Sequence, residues 1–145
     1  MKIEKILFPT DFSLKSLKAR EHAIYLAGML DATAFILHAI EPFEYDELDD
    51  EIKGFYKELE VQLKEKMEKE KEAFLSSGLR VHDDIVIGPR WRVVNTYAKE
   101  HAIDLIVMGS HGVKTETGEI SVGTTSHKVM FTSPCPVLLV RHGID

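Results

Sequence analysis

Short apolar runs alternate with amphipathic stretches along the whole chain. Five runs of mainly apolar residues, typical of strands that are buried on both faces, lie at 3–10, 34–40, 81–87, 104–108 and 137–140. Between these runs, apolar residues recur every three or four positions, which is the spacing of a helix face. The pattern therefore predicts strands and helices in the order β-α-β-α-β-α-β-α-β.

The helices are predicted from their apolar faces and from residues that suit helix ends. Ser13 suits the start of the first helix, and the last helix follows Gly123 and runs to about Phe131. One face of the second helix, predicted over 55–77, is lined by Tyr56, Leu59, Leu63, Met67 and Phe74. Because strands alternate with helices, right-handed crossovers should cover both faces of the sheet. We predict an α/β fold, a single domain over residues 1–145 with an open five-stranded, mainly parallel sheet.

Composition and charge narrow the classes of function. The formal net charge of −6 argues against nonspecific nucleic-acid binding, because that affinity comes from Lys and Arg side chains that neutralise phosphates. No apolar stretch approaches the roughly 18 residues of a membrane span, so no membrane partner is expected. Cys135 is the only cysteine, which favours a reducing compartment and a cytoplasmic location. A small anionic ligand stays compatible with the charge, since main-chain N–H groups at a helix start can hold phosphate.

Two loops follow the carboxyl ends of predicted strands, where open parallel sheets bind their ligands. The first loop is Pro9-Thr10-Asp11-Phe12-Ser13. The second begins Met108-Gly109-Ser110-His111-Gly112 and ends at Gly123-Thr124-Thr125, where the last helix starts. Glycines allow the main chain to approach a ligand closely, and a helix start supplies N–H groups. The two loops therefore predict a site for a phosphate-containing ligand.

Several of these residues also have an ordinary structural explanation. The glycines can serve turns alone, and the Asp11 carboxylate can cap the first helix together with Ser13. His111 and Lys114 can contact a phosphate or can simply be solvated in a polar loop. The acidic residues within 44–51 lack the glycine and terminal glutamate of a calcium loop, which favours a solvated segment. The residues by themselves leave these alternatives open.

The chain resembles the universal stress protein family over almost its whole length. The resemblance rests on Phe8-Pro9-Thr10-Asp11-Phe12-Ser13, Leu37-His38-Ala39-Ile40, Gly109-Ser110-His111-Gly112, Gly123-Thr124 and Pro134-Cys135-Pro136-Val137. It implies a Rossmann-like fold of the adenine nucleotide alpha hydrolase type. The ATP-binding branch is marked by Gly-x-x-Gly, a spacer, and a Gly followed by Ser or Thr. Here Val113 to Val122 make a spacer of ten residues where the family pattern has nine, so this loop is longer.

The resemblance implies a role for each matching residue. The adenosine end of ATP, or of another adenine nucleotide, would meet Pro9, Thr10, Asp11 and Ala39, and the ribose would meet Met108 and Gly109. The phosphates would face Gly112, Gly123, Thr124 and Thr125, with Ser110, His111 and Lys114 as secondary candidates. If the acidic segment lies near the phosphates it would repel them, and Mg²⁺ or Mn²⁺ would then be expected as a charge bridge bound through the phosphates.

The same residues predict a binding module rather than a dedicated enzyme. The chain has no GxxxxGK[ST] loop and no paired arginine beside the glycines, so at most slow ATP hydrolysis is expected. The favoured function is an ATP-responsive stress or signalling module that an unidentified signalling partner recognises. The alternative is a dimeric stress-response interaction protein of the same fold that binds no nucleotide. Gly109, Gly112 and Gly123 speak against that alternative.

The last strand predicts a homodimer. It contains the four consecutive apolar residues Val137, Leu138, Leu139 and Val140, and the β-α-β order places it at a sheet edge. The unpaired N–H and C=O groups of an apolar edge invite another strand. Pairing with a second copy across a two-fold axis would satisfy those groups and cover the apolar side chains. Members of the resembled family commonly dimerise in this way.

Overall fold

The computed structural model describes residues 1–42, 50–110, 113–114, 120–121 and 124–142. Its strands are β1 (Lys5–Pro9), β2 (Thr33–Ile40), β3 (Val81–Ile87), β4 (Leu105–Ser110), β5 (Val113–Lys114), β6 (Ile120–Ser121) and β7 (Val137–Arg141). Its α-helices are α1 (Leu17–Leu30), α2 (Asp50–Leu75), α3 (Arg90–Glu100) and α4 (Thr124–Thr132). A turn of 3-10 helix, Leu14–Ser16, precedes α1. These elements follow the predicted alternation of strands and helices.

Five strands form one parallel sheet in the order β3-β2-β1-β4-β7. From β1 the chain moves outward through β2 to β3, and it then crosses over to place β4 and β7 on the other side of β1. The carboxyl ends of all five strands therefore lie at one end of the sheet. The direction of the strand order reverses between β1 and β4, which makes this pair the switch point. The predicted α/β fold with an open five-stranded parallel sheet is confirmed.

Three local features differ from the predictions. The helix α2 begins at Asp50 rather than near residue 55, and the sequence did not predict the added turn because Ile52 is its only large apolar residue. The first helix starts with the 3-10 turn, and Ser13 at its cap position makes no side-chain cap hydrogen bond. An antiparallel hairpin of β5 and β6 lies within the stretch predicted as a single loop. Strands of two residues are too short to show any period in the sequence.

Two apolar layers pack on opposite faces of the sheet. The side chains of β1 alternate between them, with Ile6 and Phe8 on one face and Leu7 on the other. Helices α1 and α2 complete the first layer with Ala19, Ala23, Ala27, Met67 and Phe74. Helices α3 and α4 complete the second layer with Val93, Val94, Tyr97, Ala98 and Val129. The small alanine side chains let α1 lie close to the strands, so a weakly amphipathic helix is still firmly packed.

Phe74 and Phe55 provide a matched test of the first layer, since both lie on α2. Phe74 is fully buried with its ring centroid 5.7 Å from that of Phe8, whereas Phe55 is about half exposed. We expect Phe74→Ala to lower the free energy of unfolding by about 3–5 kcal/mol, through lost burial and the cavity it leaves. Phe55→Ala should cost less than about 1 kcal/mol. Urea denaturation followed by circular dichroism measures both, and equal losses would contradict this view of the core.

Candidate functional site

A cavity of about 380 Å³ opens at the carboxyl ends of β1, β2 and β4. It lies at the switch point of the sheet, and its volume falls in the range of roughly 300–1,000 Å³ that is usual for small-molecule sites. The residues predicted from the sequence that line it are Pro9, Thr10, Asp11, Ala39, Met108, Gly109, Thr124 and Thr125. Folding therefore gathers four separate segments of the chain around one space.

The other predicted residues have different positions. Ser110 is buried at the end of β4 and does not belong to the described residues that line the cavity. Lys114 lies in β5, but its side chain is outside the described part of the chain. His111, Gly112 and Gly123 lie outside the described residues altogether, as do the acidic residues within 44–49. Their contacts with phosphate stay predictions.

The cavity also contains residues that the sequence analysis did not select: Lys15, Ser16, Leu37, Arg90, Val94 and Ser126. Arg90 is the first residue of α3 and follows the carboxyl end of β3, so its place after a predicted strand was a usable signal. Leu37 and Val94 have the sequence pattern of ordinary core residues. Leu37 lies in β2, and the packing of α3 against the sheet brings Val94 to the cavity wall.

The wall combines apolar, hydroxyl and charged side chains. The apolar ones are Pro9, Leu37, Ala39, Val94 and Met108, and the hydroxyl groups are those of Thr10, Ser16, Thr124, Thr125 and Ser126. Thr124 to Ser126 are the first three residues of α4, where main-chain N–H groups have no partner within the helix. Lys15 and Arg90 are positive and Asp11 is negative. This set suits a ligand with an apolar ring at one end and negative charge at the other.

The loop after β1 is shaped by hydrogen bonds between its side chains and its main chain. Thr10 Oγ1 accepts from the Phe12 N–H at 3.0 Å, and Asp11 Oδ1 accepts from the Ser13 N–H at 2.9 Å. Ser16 Oγ donates to the Ser13 carbonyl at 2.8 Å. Asp11 thus lines the cavity and also orders the loop through Oδ1, in a bond to the residue at the cap position rather than to an N–H within the helix.

The main chain of Ala39 faces the cavity. In a parallel strand, successive residues direct their N–H and C=O groups to opposite neighbours. Ala34 N donates to Arg80 and Ile40 O accepts from Gly88, so even-numbered residues of β2 bond on the β3 side. On the β1 side the last bond runs from Thr10 N to Leu37 O, and the register of β1 with β2 ends at Pro9 and Leu37. The N–H and C=O of Ala39 therefore point to the side where β1 has ended.

Gly109, near the end of β4, lies against the turn before α1 and against the first turn of α4. A Cβ at this position would lie 3.5 Å from the Lys15 carbonyl oxygen, which leaves room for little more than a methyl group. On the other side, Ser126 Oγ donates to the Gly109 carbonyl at 3.3 Å. A side chain larger than a methyl group would therefore crowd the turn before α1, whereas the contact with the first turn of α4 uses the main chain alone.

Charged groups at the mouth of the cavity are loosely held. Arg90 Nε lies 3.7 Å from Glu41 Oε1, and both side chains are about half exposed, so this pair contributes little stability.

In the described ranges, no group of three or more His, Cys, Asp or Glu side chains is arranged to hold a metal ion. No helix of the described chain is both long and apolar enough to cross a bilayer.

Comparison with known proteins identifies relatives that match nearly the whole chain. The sequence profile of the universal stress protein family matches residues 2–141. The universal stress protein MJ0577 of Methanocaldococcus jannaschii is 32% identical over 154 aligned positions, which cover 95% of this chain and 94% of that protein. Universal stress protein YxiE of Bacillus subtilis is 31% identical, with 94% of this chain and 98% of that protein covered.

Solved structures share the same architecture. The structure of MJ0577 superposes with a TM-score of 0.88 at 28% identity and covers 100% of both chains. A universal stress protein in complex with cAMP has a TM-score of 0.76 at 21% identity, with 99% of this chain and 100% of that one covered. One from Archaeoglobus fulgidus in complex with dAMP has a TM-score of 0.69 at 15% identity, with 96% and 98% covered. Sequence and fold therefore agree that this chain belongs to the universal stress protein family.

Proposed function

We propose that this protein binds an adenine nucleotide, with ATP as the first candidate, and acts as a nucleotide-responsive stress or signalling module. The observation that carries the proposal is the cavity at the switch point, where an apolar wall, the main chain of Ala39 beyond the last hydrogen bond between β1 and β2, and the start of α4 meet. Open parallel sheets bind nucleotides at this place. The state of the cavity would be recognised by a signalling partner.

The adenine end of the proposed site is formed by Ala39 and the apolar wall. The Ala39 N–H can donate to adenine N1, and its C=O can accept from the adenine amino group. Guanine presents an N–H and a carbonyl in the reverse order, so it would oppose donor to donor and acceptor to acceptor. Leu37, Val94 and Met108 supply the apolar surface against which a base would pack. The proposed preference is therefore for adenine over guanine.

The phosphate end of the proposed site is the start of α4. Thr124, Thr125 and Ser126 present hydroxyl groups beside main-chain N–H groups that carry the positive end of the helix dipole. Lys15 adds a positive charge to the same cavity. Gly112 and Gly123, proposed from the sequence, would extend this cradle. Proteins of the same fold solved with cAMP and dAMP support an adenine nucleotide as the class of ligand.

A divalent ion, Mg²⁺ or Mn²⁺, would be held by the nucleotide rather than by the protein. Asp11 supplies the only carboxylate among the described residues of the cavity wall, and its Oδ1 already accepts from the Ser13 N–H. One carboxylate falls short of the oxygen ligands that either ion needs, so phosphate oxygens and water would complete the coordination. We assign no catalytic step to this site.

The module is also proposed to be a cytoplasmic homodimer. β3 and β7 are the two edge strands of the sheet. The β3 edge carries Asp83 and Asp84, which discourage pairing with another strand, whereas β7 is apolar and Leu138 is exposed. A second copy across a two-fold axis would therefore add to β7 through Val137, Leu138, Leu139 and Val140. The single free thiol of Cys135 fits a reducing compartment.

The apolar edge also supports a second candidate function. A protein of this fold can serve as a dimeric stress-response interaction protein without binding nucleotide, and β7 would carry that role alone. The two candidates differ in one observable, the nucleotide content of the protein. Mass spectrometry of the gently denatured protein would detect co-purified AMP, ADP or ATP under the first candidate only.

ATP with Mg²⁺ should raise the melting temperature of nucleotide-free protein. A ligand that binds only the folded state, at a hundredfold excess over Kd, adds about 2.7 kcal/mol, which is roughly 5–10 °C for a domain of this size. GTP at the same concentration should raise it much less, because its base presents the reversed hydrogen-bonding edge to Ala39. Differential scanning fluorimetry measures both. A flat melting temperature across millimolar ATP would contradict nucleotide binding.

Gly123→Val should abolish ATP binding while it leaves the fold intact. A branched side chain at the proposed phosphate cradle would prevent close approach of phosphate to the main chain. Gly28→Val is the matched control, because an added Cβ at Gly28 meets no atom within 4 Å and the position is remote from the cavity. Isothermal titration calorimetry reports both affinities. Parent-like binding by Gly123→Val would show that the phosphate assignment is wrong.

Leu138→Lys should convert the proposed dimer into monomer. Leu138 on β7 and Val86 on β3 are each 37% exposed on an edge strand, so Val86→Lys is a control of equal exposure on the opposite edge. A lysine in the two-fold contact would place two like charges close together, one from each copy. Light scattering at high micromolar concentration measures the mass. A monomeric parent, or a dimer that survives Leu138→Lys and dissociates with Val86→Lys, would contradict the assignment.

A further inference from the structure

His38 is buried next to the cavity but does not belong to the described residues that line it. It lies near the carboxyl end of β2 and is only 8% exposed. Its Nδ1 lies 2.7 Å from the carbonyl oxygen of Thr10, and its ring stacks on Phe12 with 4.5 Å between centroids. A carbonyl oxygen can only accept, so Nδ1 is the ring nitrogen that carries the proton.

Burial also determines the charge of this imidazole. Burial lowers the pKa of His38, against the opposing effect of its hydrogen bond to Thr10. The ring is therefore neutral at pH 7, and a neutral imidazole has one N–H donor. That single donor is committed to the Thr10 carbonyl.

Two hydrogen bonds that would close the sheet over Ala39 are diverted at this place. If the parallel ladder continued, the Ala39 N–H would donate to the Thr10 carbonyl, and the Ala39 carbonyl would accept from the Phe12 N–H. Instead the Thr10 carbonyl accepts from His38, and the Phe12 N–H donates to Thr10 Oγ1 at 3.0 Å. The register of β1 with β2 accordingly ends at Pro9 and Leu37.

Phe12, in the loop after β1, has a main-chain conformation that a residue with a side chain rarely adopts. Phe12 has φ of 63°, a left-handed conformation that is unfavourable for a residue with a side chain. Its ring packs on His38 and against the apolar clusters around Phe8 and Tyr56. The stack on His38 is therefore one of several contacts that hold this conformation.

We propose that His38 is a positioning residue that keeps the ladder of β1 and β2 from closing over Ala39. By drawing the Thr10 carbonyl to its own Nδ1–H, away from the Ala39 N–H, it leaves the N–H and C=O of Ala39 directed into the cavity for a ligand that carries an adjacent acceptor and donor. For adenine as that ligand, the inference rests on the proposed function. The open state of Ala39 itself is a property of the protein without ligand.

Two variants separate the two contacts of His38, and a third serves as the control. His38→Phe keeps an aromatic ring against Phe12 and removes the donor to Thr10. His38→Asn keeps a donor at the same distance from the main chain, because Asn Nδ2 replaces His Nδ1, and removes the ring. His22→Phe is the matched control, since exposed His22 also places Nδ1 2.7 Å from a carbonyl, that of Lys18, on α1 away from the cavity.

Two measurements are made on each protein. Amide hydrogen exchange followed by NMR, without ligand, compares Ala39 with Leu37. Titration calorimetry with ATP and Mg²⁺ gives Kd. In the parent, Ala39 should exchange at least tenfold faster than Leu37, because the Leu37 N–H is within the ladder and the Ala39 N–H is not.

In His38→Phe the Thr10 carbonyl is released and should pair with the Ala39 N–H. Exchange of Ala39 should slow toward that of Leu37, and Kd for ATP should rise about fivefold to tenfold, the cost of reopening one hydrogen bond. His38→Asn should keep fast exchange at Ala39 and a Kd within about threefold of the parent. His22→Phe should change neither quantity.

The outcomes also separate this inference from nucleotide binding. Slow exchange of Ala39 in the parent would overturn the positioning role, even if His38→Phe fails to fold. Parent-like exchange and Kd in folded His38→Phe would overturn it as well. If neither the parent nor any variant binds ATP, but exchange of the Ala39 N–H slows only in His38→Phe, the role of His38 stands and the proposed function fails.

Discussion

The reversal of strand order between β1 and β4 is the constraint on which the site depends. Right-handed crossovers carry the chain after β1 to one face of the sheet and the chain after β4 to the other. α1 therefore packs its alanines in the layer that contains Phe8, whereas α4 packs Val129 in the layer that contains Leu7. The two loops leave the strand ends in opposite directions, and a crevice opens between them. No single side chain makes the cavity, because the topology already requires it.

Within that crevice, the shape of the wall comes from polar groups that satisfy one another before any ligand arrives. Thr10, Asp11 and Ser16 each bond to the main chain of the loop after β1. Bonds of this kind contribute about 0.5–1.5 kcal/mol each, enough to offset the unfavourable backbone of Phe12. A loop ordered in this way loses little further freedom when it binds, which is the usual advantage of a preformed site.

The architecture could be predicted from the sequence because its determinants are local. Runs such as 34–40 and the apolar face of α2 each carry a period that indicates one type of element, and the alternation of types permits few topologies. The hairpin of β5 and β6 was missed because strands of two residues have no period. The early start of α2 was missed because Ile52 is the only large apolar residue in its first turn.

In the candidate site, too, some residues could be predicted from local sequence and others depend on tertiary packing. Loops that follow strands, with Asp11, Gly109 and Thr124, could be selected from the sequence alone, because a parallel sheet brings all carboxyl ends together. Arg90 could have been selected in the same way, since it follows the carboxyl end of β3, whereas Val94 came to the cavity only through the packing of α3 and has the pattern of an ordinary core valine. The sequence by itself determined the order of the elements and the end of the sheet where a ligand would bind. The tertiary structure alone decided that His38 takes the Thr10 carbonyl and leaves Ala39 open, because that choice depends on a distance of 2.7 Å between residues 28 positions apart.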